Sequence, residues 1–121
     1  MEGSGLDDLR GAVALAGLNG FLAVAAGAFG AHGVHDAAVR DLLHTGAQYQ
    51  MVHAVAALAA LRFGLRVAGW LFGAGALVFG ASLYLLAFSG VRLWGAVTPV
   101  GGLLLLAGWA TVAWSARPSR R

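Results

Sequence analysis

The sequence contains no cysteine and no lysine, and it has few charged residues of any kind. Without cysteine, the chain cannot form disulfides, thiolate metal sites or a cysteine nucleophile. Charged residues make up 11% of its 121 residues, against about 25% in soluble domains. A soluble fold would need polar residues along every helix to cover its outer face. With 60% apolar residues, the composition instead indicates a protein covered by lipid.

The basic residues are arginines that do not form a surface for nucleic acid. The formal net charge is +3, and most arginines stand singly at the ends of apolar segments. A nucleic-acid-binding domain would group them in a patch or stripe. The predicted partners are therefore membrane lipids, with no nucleic acid.

Long apolar segments dominate the chain. Uncharged segments at about 11–31, 67–88 and 93–114 are each long enough to cross a hydrocarbon core of about 30 Å. A further span at about 45–61 contains His53 and must keep its polar groups among protein. Short connections make neighbouring spans antiparallel. The predicted fold is an all-α membrane protein, a bundle of four transmembrane helices that forms one domain over 11–114.

Polar segments flank the first span and follow the last. Residues 36–44 place apolar and charged side chains on opposite sides of a helix, which predicts a short interfacial helix with Asp36 and Arg40 paired. Residues 1–10 precede the domain and a basic tail, 115–121, follows it. Six arginines lie on the side of the termini and two on the other. The positive-inside rule then places both termini in the cytoplasm of a multi-pass inner-membrane protein.

Glycine is abundant, at 19 residues. In water each helical glycine would cost about 1 kcal/mol relative to alanine, but in lipid glycine allows the close backbone approach that drives helix association. Their helical spacing predicts packing positions on the first, third and fourth spans. These are Gly20, Gly27, Gly30, Gly69, Gly73, Gly80 and Gly102. Trp109 lies deeper than an interfacial anchor and is predicted to pack inside the bundle.

The functional hypotheses rest on the polar residues within the spans. Tyr49 and His53 lie on one face of the second span with Gln50 beside them, and intramembrane ionisable residues indicate function. The predicted polar cluster joins them to Ser82, Tyr84 and Thr98, with His32 at its extracytoplasmic mouth. We expect this cluster either to bind a small ligand or lipid, or only to fix the helix register. No enzyme motif is present, so we expect a non-enzymatic protein.

Two alternatives remain open at this stage. His32 and His53 could ligate a metal ion or haem, although a zinc site needs three or four ligands. The glycine-rich helix faces could instead dock the chain into a homo-oligomer or a larger membrane complex as an accessory subunit.

Several short strings, read in order, resemble a known family. They are Gly27-Ala-Phe-Gly-Ala-His-Gly33, Tyr49-Gln-Met-Val-His53-Ala, Phe79-Gly-Ala-Ser-Leu-Tyr84 and Thr98-Pro-Val-Gly-Gly102, with Gly108-Trp109 after them. They are similar to the domain of unknown function 423 family, which includes bacterial YgdD-type inner-membrane proteins and the eukaryotic transmembrane protein 256. The resemblance covers about residues 11–114 and implies a small multi-helix inner-membrane protein without an established role. Its polar positions here are His32, Tyr49, Gln50, His53, Ser82, Tyr84, Thr98 and Pro99, while Gly80-Ala81-Ser82 departs mildly from the family form.

Overall fold

The computed structural model describes residues 2–119, which fold into four helices with no strand in that part of the chain. The helices are α1 (Glu2–His32), α2 (Ala37–Arg62), α3 (Arg66–Ser89) and α4 (Leu93–Ser115). This confirms the predicted all-α membrane fold. The predicted basic tail is described only as far as Ser119, and its last residues, Arg120 and Arg121, lie outside the described residues.

Three helices are long and apolar enough to cross a membrane: Gly3–His32 within α1, and the whole of α3 and α4. α2 has 26 residues and therefore a length of about 39 Å, but its polar side chains lower its hydropathy. It packs between α1 and α3, and Gln50 and His53 lie among its buried residues. The bundle thus shields Gln50 and His53 from lipid, whereas Gln48 and Tyr49 remain exposed.

Local chemistry explains where the helices begin and end. Gly33 donates its N–H to the carbonyl of Phe29 and closes α1 (2.7 Å). The Asp36 carboxylate accepts from the N–H of Val39 (3.0 Å) and caps the start of α2. Gly64 and Gly90 adopt φ values of +78° and +70° in the next two connections. Residues that carry a side chain rarely adopt this left-handed backbone conformation, so glycine is required at both turns.

The short interfacial helix predicted over 36–44 is helical from residue 37, but it is part of α2 and not an element of its own. Residues 37–44 form the first turns of α2, which continues through Gly46 without a break. Gly46 is small because the ring of Tyr84 lies against it: a Cβ there would be 2.7 Å from a ring carbon. The predicted ion pair of Asp36 with Arg40 is also absent, since within residues 2–119 the salt bridge is Arg66 to Asp8.

α1 begins well before the predicted first span, and its first turns are attached to α3. Arg66 donates from Nη1 to the carbonyl of Gly5 (2.6 Å) and lies 3.5 Å from Oδ2 of Asp8. The indole N–H of Trp70 donates to Oδ1 of the same carboxylate (3.0 Å). These contacts bring the starts of α1 and α3 together at the end of the bundle that carries both termini.

α3 is the central helix, with α1 and α2 packed on one side and α4 on the other. Glycines bring α4 very close to α3. A Cβ on Gly101 would lie 2.5 Å from the backbone nitrogen of Phe79, and one on Gly108 would lie 2.6 Å from the ring of Phe72. Between the helices, small side chains surround Phe72 in a core made of Ala16, Ala57, Ala60, Ala68, Phe72, Ala76 and Leu105.

The packing glycines predicted from the sequence divide into two groups. Five lie against side chains of other helical segments, at distances from 2.5 to 3.6 Å for an added Cβ: Gly27, Gly30, Gly69, Gly73 and Gly80. The structure contradicts the packing role predicted for Gly20 and Gly102, because a Cβ at either position would meet nothing within 4 Å. Helical spacing identifies a face of small residues, but it does not say whether that face meets another helix.

Candidate functional site

A chain of hydrogen bonds crosses the interior of the bundle and joins three helices. Tyr84 donates its hydroxyl to Oε1 of Gln50 (2.7 Å), and Gln50 donates from Nε2 to Oδ1 of Asn19 (2.8 Å). Asn19 in turn donates to the backbone carbonyl of Gly73 (2.9 Å). Gln50 and Asn19 are fully buried. In lipid such groups must be satisfied within the protein, and this chain satisfies them between α1, α2 and α3.

His53 forms a second polar unit with Trp109. The Nδ1 atom of His53 lies 2.7 Å from the carbonyl of Tyr49, and the indole N–H of Trp109 lies 3.0 Å from Nε2. Indole can only donate, so Nε2 must accept and the ring hydrogen sits on Nδ1. The hydrogen bonds therefore assign a neutral imidazole with both nitrogens engaged, one by its own helix and one by α4.

Ser82 and Thr98 form a third unit between α3 and α4. Their hydroxyl oxygens are 2.6 Å apart, so one hydroxyl donates to the other. Ser82 also lies 3.0 Å from the carbonyl of Phe79, and Thr98 lies 3.2 Å from that of Trp94. These contacts satisfy both hydroxyls locally.

The predicted cluster is thus resolved into three separate units. His32 joins none of them: it is exposed at the end of α1, while His53 lies sixteen residues into α2, or about 24 Å along its axis. Asn19 and Trp109 are central to two units, although neither was among the predicted ligand candidates. The sequence signal for Asn19 was its position as a polar side chain inside an uncharged span.

A groove of about 570 Å³ opens on the lipid-facing side of the bundle between α2 and α4, with α3 at its back. Gly102 keeps it open, since nothing lies within 4 Å of the position a Cβ would take. The lining is mostly apolar and aromatic. It consists of Tyr49, His53, Phe79, Pro99, Gly102, Leu103, Leu105, Leu106 and Trp109.

Aromatic rings form one wall of this groove. The Tyr49 ring lies 4.7 Å from Phe79 and nearly parallel to His53, at an interplanar angle of 7°. Trp109 packs 4.7 Å from Phe72, which lies behind the groove. Tyr49 remains 47% exposed, and its hydroxyl makes no hydrogen bond within residues 2–119. Tyr49 is therefore the polar group of the groove that is still free to bind a ligand.

The histidines do not fit the alternative of a shared metal ion or haem. His32 and His53 are too far apart to ligate one ion, and both nitrogens of His53 are already hydrogen-bonded. Within residues 2–119, no group of three or more His, Cys, Asp or Glu side chains is arranged to hold a metal ion. The geometry gives this alternative no support.

Comparison with known sequences identifies the family. Residues 26–102 match the family described as Protein of unknown function (DUF423). The chain belongs to this family. A UPF0382 membrane protein of Haemophilus influenzae is 40% identical to this DUF423 chain over 119 positions, covering 88% of the chain and 93% of the relative.

Two further relatives of the DUF423 chain also have names that refer to the membrane. The UPF0382 membrane protein YwdK of Bacillus subtilis is 40% identical, with coverage of 83% of the chain and 90% of the relative. The UPF0382 inner membrane protein YgdD of Escherichia coli is 42% identical, with coverage of 78% and 80%. No solved structure matches the chain significantly. Together with the helices, these relatives establish a small multi-pass membrane protein, and their names state no activity.

Proposed function

We propose that this DUF423 protein is a non-enzymatic membrane protein that binds a lipid-soluble molecule in the groove between α2 and α4. The observation that carries the proposal is the open position at Gly102 on a helix that is otherwise packed tightly through Gly101. The two successive glycines thus have opposite surroundings: Gly101 lies against the backbone of Phe79, whereas Gly102 faces open space. Close helix packing explains why residue 101 is glycine, but it does not explain why residue 102 is.

The groove has the general properties of a site for a small apolar ligand. Its volume of about 570 Å³ falls in the range of small-molecule pockets, about 300–1,000 Å³. Such sites are mostly apolar and contain few polar groups that orient the ligand, as here with Tyr49 and the His53–Trp109 pair. Leu103 and Leu106, which line the groove, also face outward. A molecule dissolved in the bilayer could therefore enter without passing through the bundle.

The remaining polar groups support a binding role over catalysis. His53 has both nitrogens engaged, and the hydroxyls of Ser82 and Thr98 contact each other. A nucleophile needs a neighbouring base, and among these three side chains no hydroxyl lies beside a base that is free to accept its proton. Their contacts hold neighbouring helices together, and His53 also lines the groove.

Filling the groove at Gly102 should weaken ligand binding. The probe is a sixteen-carbon fatty acid with a mid-chain diazirine, photolysed with the full-length protein in vesicles, and the saturable adducts are located by mass spectrometry. We expect Gly102→Leu to reduce saturable labelling of α4 roughly tenfold, because the leucine side chain would occupy the open space that the ligand needs, and a tenfold loss corresponds to about 1.4 kcal/mol.

Gly20→Leu is the matched control for this experiment, because Gly20 also has no neighbour within 4 Å but lies on α1, away from the groove. Its labelling should equal that of the wild type, and both variants should keep the wild-type unfolding curve. Equal saturable labelling of α4 in Gly102→Leu and in the wild type would contradict the proposal.

We also propose that the protein lies in the inner membrane with both termini in the cytoplasm. The Escherichia coli relative is named an inner membrane protein. Arg10, Arg62, Arg66 and Arg117 lie at the end of the bundle that carries the termini, while Arg40 and Arg92 lie at the other end. An excess of arginine marks the cytoplasmic side.

Single cysteines can test this orientation directly, since the chain contains none. In intact spheroplasts, a membrane-impermeant maleimide should label Val91→Cys, in the connection between α3 and α4. It should leave Ser119→Cys unlabelled until the membrane is opened by detergent. Labelling of Ser119→Cys in intact spheroplasts would show that the termini lie on the outer side and would contradict the proposed orientation. As a control, both positions should be labelled equally after solubilisation.

A further inference from the structure

The Tyr49 hydroxyl shows what kind of ligand the groove would take, an inference that rests on the proposed function. The Tyr49 ring is held against Phe79 at 4.7 Å, and half of the side chain is exposed. The hydroxyl has no hydrogen-bond partner within residues 2–119. A neighbouring hydroxyl, that of Tyr84, is by contrast bonded to Gln50 at 2.7 Å. The bundle thus provides a hydrogen-bond acceptor for the hydroxyl of Tyr84 but none for the hydroxyl of Tyr49 at the groove.

The depth of this hydroxyl limits what can bond it. Phe79 lies thirteen residues after Arg66 and ten before Ser89 in α3, which places it about 20 Å and 15 Å from the two helix ends. Gln50, adjacent to Tyr49, bonds Asn19, which lies about 12 Å along the first span from Gly11. Both measures place Tyr49 near the middle of the bilayer.

Few hydrogen-bond acceptors exist at this depth. The hydrocarbon core is about 30 Å thick and excludes water, and the polar headgroup regions lie outside it. A hydroxyl without a partner in hydrocarbon is costly, and a plain acyl chain offers it no acceptor. The acceptor must therefore belong to a molecule whose polar atoms lie within the hydrocarbon core.

The shape of the site favours a ring over a chain. The rings of Tyr49 and Phe79 lie 4.7 Å apart in the lining of the groove, and Trp109 also lines it. On the opposite wall, Gly102 has no side chain and leaves room for a flat group. Aromatic rings pack favourably when stacked with an offset or edge to face. We propose that the groove binds a membrane-soluble ring ketone, the chemical class of the lipid quinones, and that Tyr49 donates its hydroxyl to a ring carbonyl of this ligand.

A competition experiment with two matched molecules tests the inference. Decyl-benzoquinone and decylbenzene share a flat six-membered ring and the same tail, but only the quinone has carbonyl oxygens. Each displaces the photoreactive fatty acid from the full-length protein in vesicles. We expect the wild type to prefer the quinone, and Tyr49→Phe to reduce this preference about three- to tenfold, as expected for one hydrogen bond. Comparing variants cancels the partitioning of each compound into the membrane.

Tyr84→Phe is the matched control, because it removes a tyrosine hydroxyl that lies in the interior chain and not in the groove. It should keep the wild-type preference for the quinone. A full quinone preference in Tyr49→Phe would overturn the inference. So would equal displacement by both compounds in the wild type while Gly102→Leu still prevents labelling, a result that would leave groove binding itself intact. Loss of the Gly102→Leu effect would instead refute the proposed function.

Discussion

Replacing Gly101 by alanine is expected to destabilise the bundle by about 3 kcal/mol, at the upper end of the usual cost of overpacking. The added Cβ would lie 2.5 Å from the backbone nitrogen of Phe79 and 2.8 Å from its Cα. Backbone atoms in the middle of a helix cannot move aside as a flexible side chain can. α4 would have to separate from α3, with loss of the neighbouring contact between Gly108 and Phe72.

Gly102→Ala provides the control at the next position. Its Cβ meets nothing within 4 Å, and alanine has the higher helix propensity, so this variant should be at least as stable as the wild type. The measurement is an SDS-unfolding titration in mixed micelles, followed by tryptophan fluorescence. Equal stability of Gly101→Ala and Gly102→Ala would show that α4 does not pack on α3 as described.

Replacing Gln50 by alanine should destabilise the bundle by about 2–3 kcal/mol. The substitution leaves the carbonyl oxygen of Asn19 and the hydroxyl of Tyr84 without their partners, and each unsatisfied buried group costs about 1–3 kcal/mol. It also opens a cavity beside Gly80, which the Gln50 side chain contacts. Interhelical hydrogen bonds in membranes average only about 0.6 kcal/mol, so most of the loss comes from the unsatisfied groups and the cavity.

Two further variants separate these contributions. Gln50→Leu largely keeps the volume and removes only the polar interactions, so its loss should be smaller than that of Gln50→Ala. Gln48→Ala is the matched control, since Gln48 is exposed on the same helix, and it should unfold at the wild-type SDS concentration. If Gln50→Ala behaved like Gln48→Ala, the hydrogen-bond chain would have no role in stability.

Much of the fold could be predicted because long uncharged segments permit few structures. The membrane class, the helices and the family all follow from hydropathy and from a few short strings, and they are confirmed. The continuity of α2 could not be predicted, because a glycine such as Gly46 is compatible with either a bend or a close contact. Only the position of Tyr84 decides between these two roles.

The sequence indicated which polar side chains lie inside the bundle, but it did not indicate which of them are hydrogen-bonded to each other. Gln50 and Tyr84 are hydrogen-bonded to each other directly, and Gln50 extends this chain to Asn19 and not to His53. The partner of His53 is Trp109, which had been expected only to pack. Sequence periodicity gives the face of a residue on its own helix. It does not give the rotation of one helix against the next, and this rotation decided both the partner of His53 and the open surroundings of Gly102.

The bond from Asn19 to the backbone of Gly73 also limits how the helices can move. Sliding α1 along α3 by a single residue is a displacement of about 1.5 Å, enough to break a hydrogen bond of 2.9 Å. Gln50 and Tyr84 tie α2 to the same point. These hydrogen bonds therefore hold the first three helices in one register along the bundle axis. A tilt of α4 away from α2 that widens the groove would stretch the Trp109–His53 hydrogen bond.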